Sequence, residues 1–553
     1  MGGQTSCLPE GAHSIFTLRD VHKWKGKSFD VDVRSRYHTS GRYPDRLQDK
    51  YELQPRLLGC GVTGEVQLAR HIRASHMLFA VKTLLKRVWG VEKIKNEVTV
   101  FLTLDHPHIA RLADVYETED RIVLVMECLA GGDLQTHVEN LNRQKRFFTE
   151  EDAADVCRQM FEAVRYLHGQ DPPLAHRDVK LDNFMLVSNE KRDLKLIDFG
   201  ESIWRRDGHT LSGRVGTPVY MAPEVLRQQE HTEKCDIFSL GVTAYIVLTG
   251  HPPWSKTVCH PDNRCFEYRN FLRLSHEAKA FLRRLLEIDP ARRPSASEAL
   301  EDPWITGRVK FQANTLDAEV INSMRKYATT TRFKRACLRT VAWSLRHEDV
   351  EHLHRCFLEF DRAKNGKICL GDMKLAIANN FSIDVQDAAE LFKRLEENCE
   401  WSKEEVDYTE FLSLTLLERL HMHQDALHSA FVRLDKDGDG FITPDELQLA
   451  DISVPDSMFG EAEASGIMEE MGCRDSKKIS FQDFKDYLLR AEVFAAATDE
   501  RLQKVRAQVG KLVDEELASS SGRSVNTFGG FPTMMSFPMT RVDRQVATWG
   551  PSP

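Results

Sequence analysis

The sequence predicts a multidomain α+β chain: a strand-rich segment, a larger helical segment, and an acidic segment that is helical throughout. Three observations point there. The chain has 553 residues, more than one hydrophobic core usually serves, so about two to four domains are expected. Apolar alternation of period two begins at Tyr51 and resumes at 79–83 and 122–127. Near residue 150 it gives way to a helical period, as in AADVCRQMFEAVRYLH, that lasts to about residue 305. Residues 306–345 are strongly basic, and residues 346–490 again read as helix, now acidic. A strand-rich piece joined to a helical one suggests two lobes with a cleft between them.

Composition narrows the function classes. An apolar share of 41% and a charged share of 29% suit soluble globular protein and exclude a collagen-like, wholly disordered or polytopic membrane chain. Lys and Arg number 75 against 84 Asp and Glu, a net charge of −9, which argues against nucleic acid as a partner. The 12 cysteines form no CxxC pair and read as reduced cytoplasmic thiols. Cys259, His260 and Cys265 fall short of the four ligands of a structural zinc site. The uncharged stretch 237–254 has a compact apolar part, IFSLGVTAYIVL, that ends in Gly250 and Pro252. It is shorter than the ~20 residues a membrane helix needs, so a buried core helix is expected. Beyond Ser519 the chain is Ser/Gly/Pro-rich and aperiodic and reads as disordered, after a helix from Ala491.

The chemistry begins at LGCGVTGEV: Leu58, Gly59, Cys60, Gly61, Val62, Thr63, Gly64, Glu65 and Val66. Three glycines let the backbone bend closely over a polyphosphate. A dinucleotide fold would open a helix at the third glycine, yet the strand-like EVQLA follows. FAVK places Lys82 on the next strand, to grip phosphate oxygens, and Glu97 in KIKNEVTVFLTL is its natural partner. HRDVKLDN supplies Asp178 for the incoming hydroxyl, Lys180 for the transferring phosphoryl group and Asn183 for magnesium. DFG supplies Asp198, the main magnesium ligand. Phosphoryl transfer needs in-line placement and charge neutralisation more than covalent help, and these residue types provide both.

In order and spacing these motifs resemble the eukaryotic protein kinases over residues 51–305. The resemblance implies a bilobal kinase fold with ATP and Mg2+ as cofactors, and a hinge at Glu127 to Leu129 holding the adenine, with Met126 before it narrowing the back of the pocket. GTPVYMAPE, 216–224, resembles the peptide-docking segment of protein kinases, and Glu224 the glutamate that pairs with a buried arginine, here Arg293. Lys180 with Thr217 follows the serine/threonine pattern, so protein Ser/Thr substrates are implied. Asp133 matches a position that reads a substrate arginine, a basic-directed preference; a solvated loop carboxylate is the other reading. Leu181 and Phe238 replace a proline and a tryptophan usual in the family. Thr210 and Ser212 read either as phosphosites answered by Arg177 or as ordinary loop hydroxyls.

DKDGDGFITPDE, 435–446, fits the twelve-residue EF-hand loop. Asp435, Asp437 and Asp439 supply hard oxygens at positions 1, 3 and 5, Gly440 the sharp turn, Phe441 its carbonyl, and Glu446 a bidentate carboxylate at 12, so Ca2+ is expected there. Thr443 is expected to act through water, and Ile442 to pair with a partner loop. DRAKNGKICLGD, 361–372, keeps Asp361, Asn365 and Gly366 but carries Ala363 and Asp372, so weak or magnesium-biased binding is its limit. Counting back from Glu410 and Asp483 puts Cys399 and Trp401, then Gly472 and Arg474, where carboxylates belong. Both read as structural hands without calcium, giving four helix–loop–helix units in two pairs.

Kinase, basic joint and EF-hand pairs in this order resemble the calcium-dependent protein kinases of plants and protists. The expected fold is thus a bilobal kinase followed by an all-α, calmodulin-like EF-hand domain. Its expected divisions are an N-terminal extension at 1–50, the kinase at 51–305 and the joint at 306–345. EF pairs at 346–418 and 419–490 and a tail at 491–553 complete the chain. Met324, Phe333, Leu338, Val341 and Leu345 form an apolar stripe beside Arg325, Lys326, Arg332, Lys334, Arg335 and Arg339, a basic amphipathic helix of the kind that calmodulin-like lobes grip. The other reading is a connector lying on the kinase. The mechanism expected is that without calcium the joint blocks the cleft, its arginines near Asp133, and that calcium in 435–446 makes the EF pair capture it. MGGQTS fits the N-myristoylation pattern at Gly2, with Cys7 as a palmitoyl candidate or the basic stretch 19–27 as a second membrane signal. The rival readings are a catalytically silent kinase-fold scaffold and a calcium sensor that acts by docking.

Overall fold

The computed structural model describes residues 37–39, 47–61, 64–190, 192–206, 209–254, 263–309, 318–362, 365–369, 371–373, 395, 405–435, 437–449, 461–473 and 478–490. Of the two units into which the chain divides, Met1–Ala491 and Glu492–Pro553, the second lies outside the described residues. So do Gly2, Cys7, Val62, Thr63, the residues 259–260 of the cysteine cluster, and the Ser/Gly/Pro-rich tail.

The first lobe is a six-stranded sheet ordered β1-β5-β6-β4-β3-β2. Its strands are β1 (Tyr37–Thr39), β2 (Tyr51–Gly61), β3 (Gly64–His71), β4 (Leu78–Leu85), β5 (Leu112–Glu117) and β6 (Arg121–Glu127). β2 and β3 form the glycine-bearing hairpin, and Val66 of β3 stands opposite Lys82 of β4. β1 adds to the edge in parallel with β5, Tyr37 opposite Val115. Three residues within a polar stretch carry no periodic signal, so the sequence places no strand there. Helix α1 (Val91–Thr103) buries Ile94, Glu97, Val98 and Phe101.

In the second lobe α2 (Leu134–Arg143) and α3 (Glu150–His168) lie before the short hairpin of β7 (Phe184–Leu186) and β8 (Leu194–Leu196). Thr149 caps α3, its side chain accepting from the Asp152 N–H, and the acidic first turn of Glu150, Glu151 and Asp152 suits the positive end of the helix dipole. Helix α4 (Lys234–Thr249) is buried on every side, as expected of the uncharged stretch. It stops at Gly250, whose φ of +79° is left-handed and where a Cβ would lie 2.4 Å from Asn142 Oδ1.

The joint differs from the single amphipathic helix expected. It forms α6 (Ala318–Tyr327) and α7 (Arg332–Ser344), after α5 (His276–Leu285) of the kinase lobe. A threonine run explains the break: Thr329 and Thr330 turn their hydroxyls back onto the Lys326 and Tyr327 carbonyls, and Thr331 becomes the N-cap of α7. The EF-hand helices that follow are α8 (His347–Phe360), α9 (Tyr408–Thr415), α10 (Gln424–Leu434), α11 (Pro444–Leu449), α12 (Glu461–Glu470) and α13 (Phe481–Leu489). Short bridges tie the loops in two pairs, Ile368 opposite Val406 and Ile442 opposite Ile479. All five stripe residues, Met324, Phe333, Leu338, Val341 and Leu345, lie inside the core that these helices build.

Candidate active site and calcium loop

The cleft is assembled from β4, α1 and the loops around β7 and β8. Lys82 Nζ lies 2.8 Å from Glu97 Oε1 and 3.2 Å from Asp198 Oδ1. Burial opposes the charge on this lysine, but the two carboxylates outweigh it and hold its pKa above the ordinary value. Burial likewise opposes the Asp198 charge, while Lys82 and the Gly200 N–H hold that carboxyl below its usual range. Phe199 sets its ring edge against Phe101 at a centroid distance of 4.8 Å, so α1 and the DFG segment are packed as one piece.

Asp178 receives Lys180 Nζ at 2.7 Å and the Thr217 hydroxyl at 2.8 Å. Asn183 donates to the Asp178 carbonyl at 2.8 Å. The loop that carries them is anchored by Asp236, which accepts the backbone N–H groups of His176 and Arg177, each at 2.8 Å, and bonds His168 Nε2. Sequence reasoning missed Asp236 because an aspartate at the head of an apolar helix has an ordinary N-terminal role. Gly64, with φ of +112°, passes so close to β4 that a Cβ would sit 2.5 Å from the Thr83 carbonyl oxygen, whereas a Cβ at Gly59 would meet nothing. The cleft offers a buried ammonium, two carboxylates and an open glycine hairpin, a donor set that fits a nucleotide triphosphate with magnesium.

The docking segment is held by Arg293, whose fork meets Glu224 at 2.5 and 2.6 Å. Phe238 stacks on Trp254 and lies under the Arg293 guanidinium at 5.0 Å. Arg177 donates to the Ser212 carbonyl. Asp133 caps α2, accepting the Thr136 N–H at 2.6 Å and its hydroxyl at 2.8 Å.

In the calcium loop, ligand oxygens of Asp435, Asp437 and Asp439 lie within 4.8 Å of one another. Backbone donors aim these carboxylates: Gly438 and Gly440 N–H onto Asp435, and Asp439 N–H onto Asp437. Glu446 closes the ring, accepting the Asp437 N–H at 3.1 Å and the Thr443 N–H at 2.9 Å. Thr443 gives its hydroxyl to Glu446 at 2.8 Å. Gly440 turns with φ of +88°. This convergent all-oxygen set fits a hard divalent cation.

The other hands serve different ends. Glu410, at position 12 of the second, accepts the Tyr327 hydroxyl at 3.0 Å and Arg339 Nε at 2.8 Å, so it holds the joint. Asp483, at position 12 of the fourth, forms a capping box with Ser480. In the first, Asp361 accepts the Asn365 and Gly366 N–H groups, and Gly366 presses on Tyr166 of the kinase lobe. Ala363, Cys399, Trp401 and Arg474 lie outside the described residues. Sequence alone did not disclose that Arg73, between β3 and β4, donates to the Asp435 carbonyl at 3.0 Å.

Comparison with known proteins agrees with this geometry. Residues 53–305 match the protein kinase domain and residues 424–489 an EF-hand domain pair. Calcium-dependent protein kinase 9 of Oryza sativa subsp. japonica is 34% identical over 79% of this chain and 77% of its own. The chain belongs to the calcium-dependent protein kinases. Calcium-dependent protein kinase 3 of the same plant is also 34% identical, over 80% of its length, and calcium-dependent protein kinase 22 of Arabidopsis thaliana is 30% identical over 88%. As a member, the chain is a calcium-activated serine/threonine protein kinase acting on protein substrates with ATP, Mg2+ and Ca2+, and its EF-hands make an intramolecular regulatory contact. No helix among the described residues is long and apolar enough to cross a membrane.

Proposed function

We propose that calcium bound at 435–446 secures the joint inside the EF-hand core and so leaves the kinase cleft open. The observation that carries this reading is the burial of Phe333, Leu338 and Val341 among the EF helices while Lys82, Glu97 and Asp198 stand in contact across the cleft. Basic groups of the joint meet acidic ones of the hands, Lys326 with Glu418 at 2.9 Å and Arg339 with Glu410 at 2.8 Å. Without calcium the EF pair loosens, and the joint returns its arginines toward the cleft and Asp133.

Within the cleft, Asp198 and Asn183 would hold the magnesium that neutralises the charge of the phosphoryl group ATP supplies. Lys82 orients the phosphates, and Glu97 keeps that lysine aimed. The hinge at Glu127 and Leu129 holds the adenine, and residues 58–66 cover the phosphates. Asp178 positions the substrate hydroxyl and accepts its proton; Lys180 lies beside Asp178 to stabilise the moving charge, and Thr217 fixes the pair.

With one intact calcium loop among the described residues, activation rises with a Hill slope of about one. Glu446→Gln removes the bidentate ligand, and a calcium titration of peptide phosphorylation should then show stimulation abolished or moved to far higher calcium. Unchanged stimulation places the switch elsewhere. Gly2 carries the acyl chain in this reading, with Cys7 or the basic stretch 19–27 as second signal. Gly2→Ala should move the protein from the membrane to the soluble fraction, and an unchanged distribution removes the acyl anchor from the account.

A further inference from the structure

Arg111 stands between the nucleotide site and the joint. Its backbone is tied to the last residue of β6: the Glu127 N–H donates to the Arg111 carbonyl at 3.0 Å, and the Arg111 N–H donates to Glu127 Oε1 at 2.7 Å. The same carboxylate receives Lys195 Nζ from β8 at 2.7 and 2.9 Å. Donors from the residue before β5 and from β8 thus fix Glu127, the place where the hinge begins.

The side chain of Arg111 faces the other way. Its Nη1 donates to the Ala342 and Trp343 carbonyls at 3.4 and 3.3 Å, in the last turn of α7, where the helix dipole favours a cation; the Ala342 carbonyl is shared with the Leu345 N–H. The guanidinium also lies 5.2 Å from the Trp343 ring centre and 5.3 Å from that of Tyr408 on α9, both within cation–π range. The hinge residues Glu127 and Leu129 share a cavity of about 280 Å³ with Trp343 and Leu345. One residue therefore binds the hinge by its backbone, and the joint and second EF-hand by its side chain.

We infer that Arg111 is the positioning residue through which capture of the joint sets the hinge for ATP. The inference rests on the calcium-gated reading above and adds where the signal enters the kinase: nucleotide binding. When α7 leaves, the guanidinium loses two carbonyls and a ring on α7 in one step. The charge of Glu127 is within its electrostatic reach, so a released Arg111 competes with Lys195 for that carboxylate and shifts the start of the hinge. The planar guanidinium lies within reach of the Trp343 and Tyr408 rings while its Nη1 donates to both carbonyls, whereas a lysine ammonium keeps the charge and the donors but has no plane to stack.

The test uses the full chain, with saturating calcium and with chelator, and measures kcat and the KM for ATP on a basic peptide. In the wild type calcium should lower KM for ATP, and Arg111→Gln should lose most of that fall, about three- to ten-fold in KM with a smaller change in kcat. Arg111→Lys, which keeps the charge, should fall between the wild type and Arg111→Gln. Trp343→Leu, which removes one ring but leaves both carbonyls, should reproduce part of the effect, and the double variant should be no worse than Arg111→Gln alone. The inference is overturned if calcium lowers KM for ATP equally in all variants, or if calcium stimulates the wild type through kcat alone. A wild type that calcium does not stimulate overturns the gated reading itself, and is seen before any variant is compared.

Discussion

Leu338 on α7 is wholly buried in the core shared by the joint and the EF-hands, so truncating it probes capture without touching the cleft. Leu338→Ala deletes three buried carbons, about 2.4 kcal/mol at about 0.8 kcal/mol each, and the cavity left behind brings the cost to about 3 kcal/mol. If calcium binding and capture are coupled one to one, that loss lowers the captured fraction at a given calcium level by about a hundred-fold. Half-activation in a calcium titration should therefore move to higher calcium by between ten-fold and a hundred-fold, the upper figure set by a coupling energy of ~3 kcal/mol at most. Maximal activity should return at high calcium, because the cleft is intact. Leu338→Met, which keeps the volume, should shift the midpoint by less than about ten-fold. A midpoint unchanged in Leu338→Ala would refute capture of α7 as the event that calcium drives.

Two further outcomes follow from the interface with the kinase lobe. Gly366 and Gly472 have left-handed φ of +80° and +77°, but a Cβ at Gly366 would lie 2.1 Å from the Tyr166 ring, whereas one at Gly472 would meet nothing. Both alanine variants bear the left-handed backbone strain of about 1–2 kcal/mol, so Gly366→Ala should weaken calcium stimulation well beyond Gly472→Ala; equal effects would mean that this contact contributes nothing. The pH dependence has a definite sign. His347 and His354 are held neutral, their pKa values lowered first by burial, with Lys195 beside both, His108 and His106 beside His354, and Asp193 and Glu127 opposing at His347. Once separated, each regains an ordinary pKa of about 6.5, so the separated state takes up protons as pH falls below that value and docking weakens by about 1.4 kcal/mol per unit and histidine. Asp407, pushed up to about 7 by burial and by Asp105, acts oppositely and cancels one histidine. Half-activation should thus need about five-fold more calcium at a pH near 5.5 than near 6.5, because the separated histidine is already half protonated at the upper pH, and His354→Leu should flatten the trend; a trend unchanged in that variant would remove the histidine from it.

Much of the active site was legible because its chemistry is carried by residue types at fixed local spacings. Asp178, Lys180 and Asn183 lie within six residues of one another, and the glycine hairpin and its neighbouring lysine lie on adjacent strands. The candidate calcium loop was legible for the same reason, since its converging carboxylates all fall within twelve consecutive residues. What escaped depends on contacts far apart in sequence. Arg111 reaches Trp343 across 232 positions, and Arg73 reaches Asp435 across 362. Neither arginine sits in a motif, and each had only the ordinary appearance of a surface charge. The break in the joint was visible as a threonine run, but the apolar spacing continues through it, and periodicity cannot tell a capped break from a helix that tolerates β-branched residues.

If calcium acts through 435–446 alone, as proposed above, the degenerate hands would account for one loop governing so large an interface. Calcium at a hundred times its dissociation constant adds only about 2.7 kcal/mol to the state that binds it, so the captured arrangement must lie within about that distance of its alternative beforehand. An interface with well-paired polar groups throughout would hold the joint permanently. This one contains counterweights: Asp105 Oδ1, Thr409 Oγ1 and His354 Nε2 are buried without a hydrogen-bond partner among the described residues, and each such group costs on the order of 1–3 kcal/mol. Glu410 holds Arg339 and Tyr327, and Gly366 bears on Tyr166, so the hands that lack a full calcium set supply contact and leave the ion's contribution to one loop. Improving the unpaired groups should therefore make the enzyme less dependent on calcium, because docking would no longer need the ion to reach completion.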